Sequence, residues 1–225
     1  MIKSFTFLFV IASIALLGCG SSEVEKGNIC LKLGDYEMAE YFFHSALLKN
    51  PADYQARLGM GKTLLQRAHV HTEENASLWQ KGLLHLEAAQ NINPGGELKP
   101  LLSEIWNKRA THLLKAGDTS EALRAVTRSI EYNSENVDAL NSAGIIYFRL
   151  GEVTRSKEIF QRAVNIDSLN AALLFNLGLI HYELGETPQA HKWWLLAVKI
   201  EPEDEDILYW FAVAESEMRS VRKDD

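Results

Sequence analysis

Between Ala171 and Asp204 the apolar positions fall into two stripes. Leu174, Leu177, Gly178, His181 and Leu184 return every three or four residues, the period of one helix face. Gly185-Glu186 interrupts them as a turn. Ala190, Trp194 and Ala197 then make a second stripe, which Pro202 ends. The pattern predicts a helix, a tight turn and a second helix, and it recurs along the chain. Gly117, Gly151 and Gly185 follow one another at 34 residues, as do Val126, Phe160 and Trp194; Gly27 and Gly61, and Gly144 and Gly178, repeat that spacing. Small residues at such positions let paired helices approach closely, and large ones fill the space between them. Gly34, Gly117, Gly151 and Gly185 suit the left-handed position just past a first helix. Thr187-Pro188 reads as an N-cap followed by proline at the first helical position. Pro51, Pro94 and Pro202 close second helices.

A 34-residue helix–turn–helix period with these residues resembles the tetratricopeptide repeat (TPR) family. The resemblance covers nearly all of the chain after residue 19. It implies an all-α fold, a right-handed TPR superhelix (α-solenoid) of about five repeats plus a C-terminal capping helix. Copy one spans about 20–53, with Gly27, Ala39, Phe43, Ala46 and Pro51 in place. Copy two, about 54–96, carries nine extra residues around His69 to Ser77, expected as an exposed elbow. Six more, about Glu97 to Leu102, precede copy three at 103–136. Together they account for the 83 residues from Gly34 to Gly117, two periods plus fifteen. Copies four and five run 137–170 and 171–204. A cap follows at 205–219, with a polar tail at 220–225. Ser134 and Ser168 replace the closing proline in copies three and four, which weakens those turns.

The first residues follow a different pattern. Lys3 precedes an uncharged run from Phe5 to Leu17, too short to span a bilayer comfortably but suited to a signal peptide over 1–18. Leu16-Leu17-Gly18-Cys19 resembles the bacterial lipobox, which implies cleavage after Gly18, lipid on the Cys19 sulfur and a tether over 19–22. Gly20 is not aspartate, so in a Gram-negative envelope the resemblance implies the outer membrane, facing the periplasm.

The net charge of −7 argues against nucleic acid as a partner. Without the leader, 22 basic side chains face 30 acidic ones, so no general polybasic surface holds the chain on anionic lipid. Cys19 and Cys30 make no disulfide framework.

No catalytic constellation stands out, and no cofactor is expected: phosphate loop, H-E-x-x-H and G-x-S-x-G are all missing. His69, His71, Glu73 and Glu74 are the most suggestive polar cluster. On a helix, however, His69 and His71 point about 200° apart, and no metal site is assigned. His181 is expected as a packed histidine with a hydrogen bond, and Cys30 as a small buried hydrophobe. Trp79, Trp106 and Trp194 read as packing residues, with Trp193 beside the core stripe.

In the TPR family the first helix of each pair lines a concave surface, and set positions on it touch the ligand. Carried over, copy three offers Asn107, Lys108, Thr111 and Lys115. Copy four offers Asn141, Ser142, Ile145, Phe148 and Arg149, and copy five Phe175, Asn176, Leu179 and Tyr182. The cap adds Tyr209 and Trp210. The protein-binding residues are expected to be Asn107, Asn141, Phe148, Arg149, Phe175, Asn176 and Tyr182, because aromatic rings supply contact area and amides pair with backbone groups. The lysine and asparagine set of chaperone-type carboxylate clamps is not evident. The expected function is a lipid-anchored scaffold, an adaptor or assembly factor binding a peptide or helix of an envelope protein, and not an enzyme. Two alternatives stand beside it: self-association through Ile207-Leu208-Tyr209-Trp210-Phe211, apolar on all sides, and an enzymatic site on the copy-two insertion.

Overall fold

Helices make up all the regular structure in the computed structural model, which describes residues 21–70, 75–95 and 97–221. The chain divides into two compact units at Leu98/Lys99. The first holds α1 (Glu23–Lys32), α2 (Tyr36–Lys49), α3 (Tyr54–Val70) and α4 (Asn75–Ile92). The second is built from α5 (Leu98–Lys115), α6 (Thr119–Tyr132), α7 (Val137–Arg149), α8 (Val153–Ile166), α9 (Ala171–Glu183), α10 (Thr187–Ile200) and α11 (Glu205–Val221). Residues 1–20, with the leader and Cys19, lie outside the described residues, as do 71–74 and therefore His71, Glu73 and Glu74. His69 falls in the last turn of α3.

In the first unit Ser22 caps α1 through a capping box. Its hydroxyl accepts from the Glu25 amide, and the Glu25 carboxylate accepts from the Ser22 amide at 2.7 Å. Phe43 of α2 is fully buried between two glycines. A Cβ on Gly27 would lie 2.7 Å from its ring, and one on Gly59 only 2.2 Å. Cys30, Ala39, Met60 and Leu64 complete this core. Cys30 is fully buried, and burial, followed by the nearby Asp35 carboxylate, raises its thiol pKa.

The described residues of the copy-two insertion are helical. α3 and α4 are 17 and 18 residues long, against 13 and 14 for α9 and α10. Four residues, 71–74, separate them. Of the stretch His69 to Ser77 where an elbow is expected, His69, Val70, Asn75, Ala76 and Ser77 are helical, and 71–74 lie outside the described residues. The residues ahead of copy three lengthen α5, where Leu98 and Leu102 are buried. A buried polar knot pins this extension within the second unit. The Ser129 hydroxyl donates to the Ser103 carbonyl at 2.6 Å, and the Asn136 amide donates to the Ser103 hydroxyl at 2.8 Å.

The hairpin turns share one geometry. Gly34, Gly117, Gly151 and Gly185 have φ between +74° and +86°, and the next amide reaches back to the first-helix carbonyl, as Glu186 does to His181 at 2.9 Å. Asp35 and Asp118 then cap the second helices. α10 begins differently from expectation: Glu186 is its N-cap without a side-chain capping bond, and Thr187 is already helical. The expected weakness at Ser134 and Ser168 is compensated by turns and caps built from side chains. The Asn133 and Asp167 side chains accept from Glu135 and Leu169 amides, and Asn136 and Asn170 cap α7 and α9.

Within the second unit each first helix offers a small residue to a large one. A Cβ on Gly144 would meet Phe160 at 2.6 Å, and one on Gly178 would meet Trp194 at 2.4 Å. α11 packs on α10 and closes the unit. Its sequence is less uniformly apolar in space than along the chain. Ile207 is buried, Trp210 and Phe211 pack inward, and Phe211 stacks on His191 at 4.7 Å. One period after His181 stands Glu215, paired with Arg219, so charge lies where a further second helix would pack.

Candidate protein-binding face

All seven candidate residues lie on α5, α7 and α9, the first helices of copies three to five, and so within the second unit. The structure brings two of the amides together. Asn176 Nδ2 donates to Asn141 Oδ1 at 2.9 Å, linking α9 to α7 at a half-buried site. Asn107 of α5 is also half-buried, and its Oδ1 has no hydrogen-bond partner among the described residues. Its backbone carbonyl accepts from the Thr111 hydroxyl at 3.0 Å.

Phe148 is the most open of the aromatic candidates, 37% exposed near the end of α7. Beside it in sequence, Arg149 reaches the Leu114 carbonyl at the C-terminal end of α5, at 3.5 Å. That carbonyl already accepts from the Gly117 amide at 3.2 Å, and the cation adds a second, longer contact at the helix end. Lys108 is held by Glu104 of its own helix at 2.6 Å, Lys115 is exposed, and Ile145 packs against the core.

Two half-buried candidates also make contacts within the protein. Phe175 is half-buried against the core, and its carbonyl accepts from the Trp194 indole at 3.1 Å. Tyr182 donates its hydroxyl to Glu217 of the cap, and that bond is the main reason its pKa is raised. Its ring lies 5.7 Å from Trp194 and 5.4 Å from Trp210, and Leu179 joins the same cluster. Tyr182 and Trp210 therefore fasten the cap. Tyr209 stays 64% exposed. What remains accessible is the Asn141–Asn176 amide pair, Phe148 and Arg149, with Tyr209 on the cap.

His181 is buried as expected, its Nδ1 2.5 Å from Glu186 Oε2. The same carboxylate accepts from Lys157 of α8 at 2.8 Å, and Lys157 first, then His181, hold the Glu186 pKa low. Sequence reasoning foresaw the histidine bond but missed Glu217 and Lys157. Glu217 lies 35 residues beyond Tyr182, about one period, and that spacing was the available signal. Among the described residues no group of histidine, cysteine and carboxylate side chains has metal-site geometry, and no helix is long and apolar enough to cross a membrane.

A family model described as tetratricopeptide repeat matches residues 107–171. No curated protein matches the chain by sequence. Among solved structures, the chain is similar to YrrB, a TPR protein with an unusual peptide-binding site, at 18% identity over 83% of this chain and 89% of that one, with a TM-score of 0.55. MamA is similar at 18% identity, over 80% and 91%, with a TM-score of 0.54. The first TPR of Spaghetti (RPAP3), bound to the HSP90 peptide SRMEEVD, is similar at 15% identity over 53% and 95%, with a TM-score of 0.52. At such identities the likeness is one of fold. By its fold this chain is an all-α tetratricopeptide-repeat solenoid, with the repeat's sequence pattern matched over residues 107–171.

Proposed function

We propose that this chain is a non-enzymatic, lipid-anchored scaffold of the bacterial cell envelope, and that the first-helix face of copies three to five binds an extended segment of a protein partner. The observation that carries the reading is the Asn176–Asn141 side-chain bond, which joins two amides of successive repeats, one of them on the helix that carries the open ring of Phe148 two turns further on. An amide keeps further donor and acceptor capacity after one bond, enough to pair with peptide backbone groups. The exposed ring supplies apolar area, and Arg149 contributes a charge already positioned at a helix end. YrrB and the RPAP3 domain, similar in fold, are both described with peptides. Anchoring rests on Leu16-Leu17-Gly18-Cys19 alone.

The test is capture from membranes with the lipidated protein, comparing the parent chain with Phe148→Ala. The variant should lose the captured protein by roughly thirty-fold in affinity, the scale of an aromatic anchor. Equal capture by both would move the site away from this face.

A further inference from the structure

The repeat register allows the ends of the second helices to be compared position by position. Glu131, Asn165 and Lys199 follow one another at 34 residues near the C-terminal ends of α6, α8 and α10, and Asn91 holds the same place in α4. In α2 that place is Leu48, which is 72% exposed. The four residues after it, Lys49, Asn50, Pro51 and Ala52, are exposed as well, and none of them is acidic. The corresponding turns carry Glu135 in copy three, Asp167 in copy four, and Glu201 and Glu203 in copy five. Copy one therefore places a bare leucine beside a lysine where the other copies are polar.

This leucine stands at the edge from which the chain runs back toward Cys19. The Lys49 ammonium lies 3.6 Å from the Glu23 carboxylate, so the last residue of α2 meets the first residue of α1. Ser22 is fixed ahead of Glu23 by its capping box, and Cys19 is three positions further back, a span of at most about 10 Å fully extended. We infer that the turn of residues 48–52 docks on the phospholipid headgroup layer, with Leu48 inserted into the bilayer surface; the inference rests on the lipid at Cys19 proposed above. Lys49 suits the same layer, its stem along the apolar surface and its ammonium among the phosphates. The carboxylates of this edge do not oppose the contact, because the protein holds each of them. Glu23 pairs with Lys26 and Lys49, Glu25 belongs to the capping box, and Asp53 accepts from the Ala56 amide at 2.9 Å. One leucine is too little to hold a free protein on a bilayer. A tether this short keeps it at high local concentration there, so docking follows the anchor and does not replace it.

The experiment uses the lipid-bearing protein purified from cells and placed in phosphatidylcholine vesicles that contain a lipid with a nitroxide on its headgroup. Ala52→Cys and Leu33→Cys each carry one fluorophore, the native Cys30 being fully buried. Leu33 is the control: it is 54% exposed at the far end of α1, about 16 Å along the helix from Ser22. Quenching at position 52 should exceed that at position 33 several-fold. Adding Leu48→Asp should lower it to the level at 33, with helicity unchanged. Equal quenching at the two positions overturns the inference. So does quenching at 52 that Leu48→Asp leaves untouched, because the tether alone then accounts for it. The mass of the peptide containing Cys19 tests the anchor separately: a Cys19 without lipid overturns the anchor reading and this inference with it.

Discussion

The Tyr182 hydroxyl donates to the Glu217 carboxylate, joining the first helix of copy five to the cap helix. Glu217 also accepts from the Thr187 hydroxyl at 3.2 Å, so one carboxylate holds both helices of the last hairpin. Tyr182→Phe keeps the ring on Trp194 and Trp210 but removes the donor. It should cost about 1–2 kcal/mol, the scale of a hydrogen bond to a charged group at a part-exposed site. Amide exchange within α11 should quicken before exchange elsewhere. Uniform loss of protection along the second unit would contradict this.

The same bond gives a pH dependence. The folded pKa of Tyr182 is raised above its ordinary value of 10.0, because the bond to Glu217 favours the protonated hydroxyl. Its contribution is complete below the ordinary value and disappears as pH rises through the raised one. Tyrosinate absorbance should show one late-titrating tyrosine in the parent, missing in Tyr182→Phe.

Glu186 gives the opposite sign. Lys157 and His181 hold its carboxyl below the ordinary 4.5, so its contribution is present above that value and is lost as pH falls through the lowered one. In Lys157→Met, a carbon-detected titration should move the Glu186 pKa upward. An unchanged value would show that Lys157 is not the dominant partner.

Two glycines separate crowding from backbone strain. Gly178→Ala places a methyl 2.4 Å from the fully buried Trp194 indole, and overpacking there should cost about 1–3 kcal/mol despite the better helix propensity of alanine. Gly151→Ala meets nothing within 4 Å but sits at φ +76°, so only the left-handed conformation opposes it, at about 1–2 kcal/mol. Trp194→Phe in the background of Gly178→Ala should recover part of the first loss. Denaturant midpoints decide; recovery of the Gly151→Ala loss by the same change would refute the distinction.

Much of this was legible in the sequence because repetition averages out local ambiguity. The register of Gly117, Gly151 and Gly185 with Val126, Phe160 and Trp194 placed the hairpins, and the structure gives the physical reason in the glycine-to-ring contacts at Gly144 and Gly178. Less legible was anything depending on partners more than one helix away. Tyr182 occupies a ligand-facing register position, yet the cap supplies it with Glu217 and Trp210. Ser134 and Ser168 looked like weak turns because the missing proline drew attention, although the side chains that close them repeat at one period, Asn133 with Asp167 and Asn136 with Asn170. The copy-two insertion read as an elbow because it breaks the period, though its described residues continue the helices on either side.

The anchor is a separate expectation. Cys19→Ser removes the sulfur that would carry the lipid, so the chain should leave the membrane fraction or remain unprocessed. A single acyl chain binds only marginally, which is why a multi-chain anchor is expected. A variant that is cleaved yet stays membrane-bound would exclude the lipoprotein reading.

The most direct measurement of the central claim is site-specific photo-cross-linking in intact cells, with a photoreactive phenylalanine at Phe148 and, in a parallel strain, at Thr154 on α8. Phe148 lies on the proposed binding face, and Thr154 is exposed on a second helix. The account predicts a discrete protein adduct from Phe148 that is lost when Asn141 and Asn176 are both replaced by alanine, with little or none from Thr154. Adducts from Thr154 alone, or a Phe148 adduct indifferent to both asparagines, would contradict it.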